Sequence, residues 1–116
     1  TPDKFKEIKN IAANVQNMLK SSLNAFARLD TEDTINVLKK DEEVDDDYRS
    51  FMRQLVTFML EDPRTISMSL EMIFVTKSLE RIGDHAKNIA EGVIYTVSGE
   101  DVRHESIERI IKTLNS

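Results

Sequence analysis

The sequence predicts an all-α protein: an antiparallel up-down-up three-helix bundle with long helices and a short C-terminal helix or tail. Three observations carry this. Only three glycines and two prolines punctuate 116 residues, and a chain rich in Leu, Ile, Glu, Lys and Asp with so few breakers forms long helices. Apolar residues recur every three or four positions over three long stretches, the spacing of amphipathic helices. Two short breaks, near Asp30 and Pro63, separate the stretches, and short turns make successive helices antiparallel neighbours.

The first helix is expected over about residues 3–28, where Phe5, Ile8, Ala12, Val15, Leu19, Ser22, Phe26 and Leu29 form a narrow seam. Asp30 or Thr31 is placed to cap the second helix, over about 32–61, whose apolar arc includes Leu38, Val44, Tyr48, Met52, Leu55 and Phe58. Asp62 can cap the third, over about 63–98, with Pro63 in the first position, where a missing N–H costs nothing. Its core line reads Val75, Leu79, Ile82, Ala86, Ile89, Val93 and Val97, and Gly99 suits the residue just past its end. Over about 105–114, Ile107, Ile110, Ile111 and Leu114 share one face, within a tail spanning about 100–116. The expected core holds Ile11, Val15, Leu19, Leu55, Phe58, Leu79, Ile82, Ala86 and Ile89, with the five methionines as core filler.

The length fits one domain, residues 1–116. Hydrophobic residues make up 40% and charged residues 32%, which excludes wholesale disorder. With no cysteine there is no disulfide scaffold, thiolate zinc site or cysteine nucleophile. A net charge of −5 lacks the general field that draws a protein onto nucleic acid. The longest apolar run, Met72 to Val75, is far short of a membrane span, and no signal-peptide pattern opens the chain, so a cytoplasmic location is expected. The chain begins at Thr1 without an initiating Met and reads as a piece of something longer.

One charge run stands out: Asp41 to Asp47 holds six acids in seven residues. Glu42, Glu43, Asp46 and Asp47 fall mostly on the polar side of a helical wheel, but Asp41 and Asp45 interrupt the apolar arc between Leu38 and Tyr48. A carboxylate on a half-buried face needs a compensating charge. The third helix carries a second pair at the same spacing, Glu80 and Asp84, and counting from the turn near residue 62 sets the pairs at one height. Spacing alone leaves two readings: a shared metal ion, or a salt-bridge net with Lys77 and Arg81. His85 points away from Asp84 and reads as a surface residue, and Asn88 is at most an outer ligand. Gly83 and Gly92, inside the third helix, suggest close packing against a neighbour.

The stretch Ser78-Leu79-Glu80-Arg81-Ile82-Gly83-Asp84-His85-Ala86-Lys87-Asn88-Ile89-Ala90-Glu91 resembles the signature of the PhoU family, bacterial regulators of phosphate uptake and signalling. The likeness extends through Asp41–Asp45, Glu61–Ile66 and Tyr95–His104, so it covers most of residues 20–104. Family members usually contain two three-helix bundles, and this chain looks like the second alone. The family's acidic motif, Glu or Asp, three residues, then Asp, falls on Asp41 and Asp45 and on Glu80 and Asp84. The resemblance implies a carboxylate metal site there, as some members hold iron or zinc, and all-oxygen ligands also suit manganese or magnesium. It also implies negative regulation of the phosphate regulon through binding the Pst phosphate ABC transporter and the PhoR sensor kinase, no catalysis, and a homodimer. The weighed alternatives are a ferritin-like di-iron carboxylate protein and a structural bundle without metal. The first would need Glu-x-x-His motifs, and the residues three beyond Glu80 and Glu91 are Gly83 and Ile94.

Overall fold

The computed structural model describes residues 2–115; Thr1 and Ser116, the ends of the expected 1–116 domain, lie outside the described residues. Helix α1 spans Pro2–Arg28. It ends because Leu29 takes a left-handed conformation (φ 53°), and the Asp30 N–H then closes back on the Ala25 carbonyl at 3.0 Å. This is the six-to-one bond of a Schellman turn, here made without the usual glycine. Asp30 then caps α2 (Thr31–Glu61), its side chain accepting from the Glu32 and Asp33 amides at 2.9 and 3.2 Å.

Asp62 ends α2 and caps the next turn of the chain, accepting from the Arg64 amide at 3.1 Å. The third helix does not start at residue 63. Pro63–Thr65 form one 3-10 turn, with the Thr65 N–H bonded to the Asp62 carbonyl at 3.0 Å, and α3 runs over Ile66–Ser98. The tight three-residue bond is the form a helix entry takes when proline and an aspartate cap fix its first turn. Gly99 (φ 76°) closes α3 as expected. The C-terminal segment is a helix, α4 (Ile107–Asn115), with Ser106 at its start accepting from the Arg109 amide at 3.2 Å. Val102 in the loop before it and Ile110 within it are fully buried and hold the segment against the bundle.

The molecule is a rod of 55 × 23 × 17 Å in which α1, α2 and α3 each pack on the other two. Phe51, Leu55, Val44 and Val37 of α2 meet Ile11, Val15 and Met18 of α1 and Met72, Ala86, Ala90 and Ile94 of α3. The seams of α1 and α3 are rotated from the expected lines. On α1 the buried row is Ile11, Val15, Met18, Ser22 and Ala25, leaving Phe5, Phe26 and Leu29 exposed. On α3 it is Ser69, Met72, Thr76, Gly83, Ala86, Ala90, Glu91, Val93 and Ile94, which keeps Ala86 and Val93 of the expected line in the core. Val75, Ile82 and Val97 face solvent, and Leu19, Phe58, Leu79 and Ile89 are only half-buried. Of the methionines, Met18 and Met72 are core, and Met52, Met59 and Met68 are partly exposed. The buried face of α3 mixes small residues with Met72, Val93 and Ile94, while Val75, Ile82 and Val97 are turned outward.

The glycines do not mark tight contacts. A Cβ at Gly83 would meet Val15 and Tyr48 at ordinary van der Waals distance, and one at Gly92 would meet open space.

Leu55→Ala, at a fully buried position, should cost about 2–5 kcal/mol in denaturant unfolding. Ile82→Ala, at an exposed one, should cost under about 1 kcal/mol. Equal losses would show that Ile82 belongs to the core after all.

Candidate functional site

The antiparallel register about the Asp62–Pro63 turn brings Asp41, Asp45 and Asp84 within electrostatic reach of one another on the α2–α3 rim, with Glu80 acting on the neighbouring Tyr48. Asp41 is buried, with 6% of its surface exposed. Asp45 and Glu80 are half-buried and Asp84 is exposed. Burial, then the neighbouring Asp45, pushes the Asp41 carboxyl up to about 6, with Asp84 adding to the rise and Lys87 opposing it. Burial and then Asp84 push Asp45 up as well. Asp41, Asp45 and Asp84 thus feel one another across two helices, as the register count from the turn requires.

The cation that answers them is Lys87, one turn beyond Gly83. Its ammonium lies 3.7 Å from the Asp41 carboxylate. Lys77 and Arg81, the expected partners, both face solvent. Lys87, with Arg49 also acting on Asp45, stands against four acids, so the rim keeps surplus negative charge. Tyr48 adds an unmet group. Its hydroxyl is buried without a hydrogen-bond partner among the described residues. Burial and the charges of Glu80, Asp84, Asp45 and Asp41 together hold the phenol proton far more tightly than usual. The hydroxyl is therefore a donor, not an anion, facing carboxylates.

Among the described residues, no three His, Asp or Glu side chains converge where a metal ion could sit. The donor chemistry nevertheless suits a hard cation: all oxygen, surplus negative charge, two of the acids resisting ionisation. Glu80 and Asp84 sit at the solvent edge, where side-chain rotation is cheap. His85 and Asn88 are exposed.

Sequence reasoning misses Glu91. The helical wheel sets it on the acidic line of Glu80 and Asp84 without singling it out, yet only 9% of its surface is exposed. The segment 99–106 folds back over it, anchored by Val102. The signal is present in part: Val102 is an isolated apolar residue in a polar loop before an amphipathic helix.

The PhoU domain model matches residues 8–93, which takes in most of α1, all of α2 and most of α3 with all four rim acids. The chain belongs to the PhoU family. It is 48% identical over 110 residues to the phosphate-specific transport system accessory protein PhoU homolog of Pseudomonas aeruginosa, covering 95% of this chain and 46% of that protein. It is 38% identical over 107 residues to the phosphate-specific transport system accessory protein PhoU of Escherichia coli, covering 92% of this chain and 44% of that one. The crystal structure of PhoU from Pseudomonas aeruginosa superposes with a TM-score of 0.77 at 50% identity, over 79% of this chain and 44% of the other. This PhoU domain thus spans less than half the length of the curated relatives it matches.

The raised Asp41 carboxyl makes a pH prediction. Between about pH 4 and 6 the folded protein keeps a proton that the unfolded chain releases. That contribution is complete below the ordinary carboxylate value and is lost as pH rises through about 6. Asp41→Asn should therefore be more stable than the parent at pH 7, by about 1–2 kcal/mol after loss of the partly exposed Lys87 pair. The advantage should vanish near pH 4. Thermal unfolding across this range checks it, and equal stabilities at pH 7 would mean that Lys87 fully offsets the burial.

Proposed function

We propose that this PhoU domain is an accessory and regulatory module of a phosphate-specific transport system, acting by docking on other proteins and not by turning over a substrate. The observation that carries this reading is the 48% identity to a phosphate-specific transport accessory protein across 95% of the chain. The physical picture is consistent. Among the described residues no helix is long and apolar enough to cross a membrane, so the domain would reach a membrane transporter through protein contacts. Its partners in this reading are the ATPase of the phosphate ABC transporter and a PhoR-type sensor kinase, whose signalling it restrains when phosphate is plentiful; it works in the cytoplasm as a homodimer. Large side chains left in solvent, such as Leu60, Phe74 and Phe26, supply apolar surface for such contacts.

The rim acids belong to the same proposal. Asp41, Asp45, Glu80 and Asp84 would hold a divalent or iron-type cation, which supplies the positive charge that Lys87 alone does not. What supports this is their mutual repulsion and the unmet Tyr48 hydroxyl beside them. Manganese, magnesium and iron suit an all-oxygen donor set, and zinc suits it less without His or Cys.

Pull-down of the transporter ATPase and the kinase by the domain tests the docking; capture of neither sinks it. Melting with and without manganese tests the cation. Stabilisation should grow with metal concentration as the logarithm of one plus the ratio of free metal to its dissociation constant. The double change Asp45→Asn with Asp84→Asn should abolish that rise and raise the metal-free melting temperature. A metal-free protein left unaffected or weakened by the double change would mean that Lys87 already balances the acids.

A further inference from the structure

Beyond the rim, the molecule carries a cleft of about 570 Å³ where α3 meets the loop after it, lined by Asn88, Glu91, Gly92, Tyr95, Asp101 and Arg103. We propose that this cleft binds a guanidinium group, with the Glu91 carboxylate as its acceptor.

Glu91 stands out among the residues lining this cleft. More than nine-tenths of it is buried, it lines the cleft, and its carboxylate makes no hydrogen bond or ion pair with the described residues. Its oxygens are not among the fully enclosed polar atoms, so they open to the cleft and are free to meet a ligand that enters it. Of the basic groups that act on it, Lys87, His104 and Arg103, none is in ion-pair contact with it. Lys87 pairs with Asp41 at 3.7 Å. Arg103 donates to both oxygens of Asp101, through Nε at 3.0 and 3.2 Å and Nη2 at 2.8 Å. That fork-to-fork geometry occupies the Arg103 head and removes Asp101 as a second free acid.

The rest of the cleft selects among cations. With Asp101 taken, one free carboxylate cannot give a metal ion its ligands, and no group of three His, Asp or Glu able to hold one occurs among the described residues. An anion such as phosphate would face Glu91 without a free arginine or lysine. A flat cation fits. The Tyr95 ring, mostly exposed at the rim, offers a face for stacking. The Asn88 amide carbonyl offers a further acceptor. Gly92 leaves the helix surface bare between Glu91 and Tyr95, since a Cβ there would meet nothing within 4 Å. That opening is what gives a planar group its depth. A volume of about 570 Å³ is ample for an arginine-sized side chain.

The guanidinium has two possible sources, a free small molecule or an arginine presented by another protein, and the experiment separates them. The 15N-labelled 116-residue chain is titrated at pH 7 and constant ionic strength with agmatine, then with an end-capped Gly-Arg-Gly peptide, cadaverine, manganese and inorganic phosphate. Agmatine or the peptide should give saturable shifts at the Asn88, Gly92, Tyr95 and Arg103 amides. The dissociation constant should be on the order of 1 mM or tighter, with cadaverine weaker by severalfold. Peptide binding at least as tight as agmatine identifies a protein source, and agmatine alone a free ligand. Glu91→Gln should weaken binding by about tenfold or more. Gly92→Ala should weaken it while keeping or raising the melting temperature, because the added methyl enters the cleft and favours the helix. The proposal is overturned by linear, non-saturating shifts, by shifts confined to residues 41–48, by phosphate or manganese saturating the same amides, or by Glu91→Gln binding unchanged.

Discussion

The row of small residues on α3 is the constraint on which the charged sites depend. Thr76, Gly83, Ala86 and Ala90 give α3 a narrow inner face, and the helix rotates to press it between α1 and α2. Once that rotation is set, every other position on α3 is set with it. Glu80 and Asp84 flank the buried Gly83 and come to the α2 side, at the height of Asp41 and Asp45. Seven positions beyond Asp84, Glu91 comes to the same flank at the level where the chain returns after Gly99. Had Val75, Ile82 and Val97 formed the seam, the acids would have pointed away from α2 and none would have been buried.

Burying Asp41 works against stability. Helix α2 could have carried an apolar residue there, between Leu38 and Val44 on one side and Tyr48 on the other, and gained core area in place of a destabilising charge. The carboxylate sits instead beside like charges, with a lone lysine at 3.7 Å. Natural sequences depart from locally consistent packing mostly at functional positions. The departure here is compound: Asp41, Asp45 and the unpartnered Tyr48 hydroxyl occupy consecutive turns of one helix and face the acids of another. Together with the buried Glu91, this strip is a part of the bundle that stability alone does not explain.

How much of this is legible in the sequence depends on which physical signal carries it. Helix ends are, because Asp30, Asp62, Pro63 and Gly99 act locally, through their own backbone and side-chain geometry. The height of the two acid pairs is, because an antiparallel turn converts sequence distance directly into axial position. The rotation of α1 and α3 is not. A wheel scored on hydrophobicity favours Val75, Ile82 and Phe26 over Gly83, Thr76 and Ala25, whereas close packing favours the small residues because they let backbones approach. Lys87 is not singled out either, because on the wheel Lys77 and Lys87 lie about equally close to Glu80 and Asp84, and spacing alone does not say which of them reaches α2. Glu91 needs information no wheel contains, namely that the loop after Gly99 turns back and buries Val102.

Lys87 ties the two acidic regions into one electrostatic system. Its ammonium lowers the proton affinity of Asp41 and also that of Glu91, a turn further along α3. It can stand against only one of them, and its contact is with Asp41. Glu91 is left with the longer-range influence of His104 and Arg103, the latter already bound to Asp101, and burial keeps its carboxyl raised. The unpaired state of Glu91 is thus a consequence of the acid surplus on the rim: with more acids than cations along this side of α3, the single lysine goes to the more deeply placed charge, and the next carboxylate on the helix goes without.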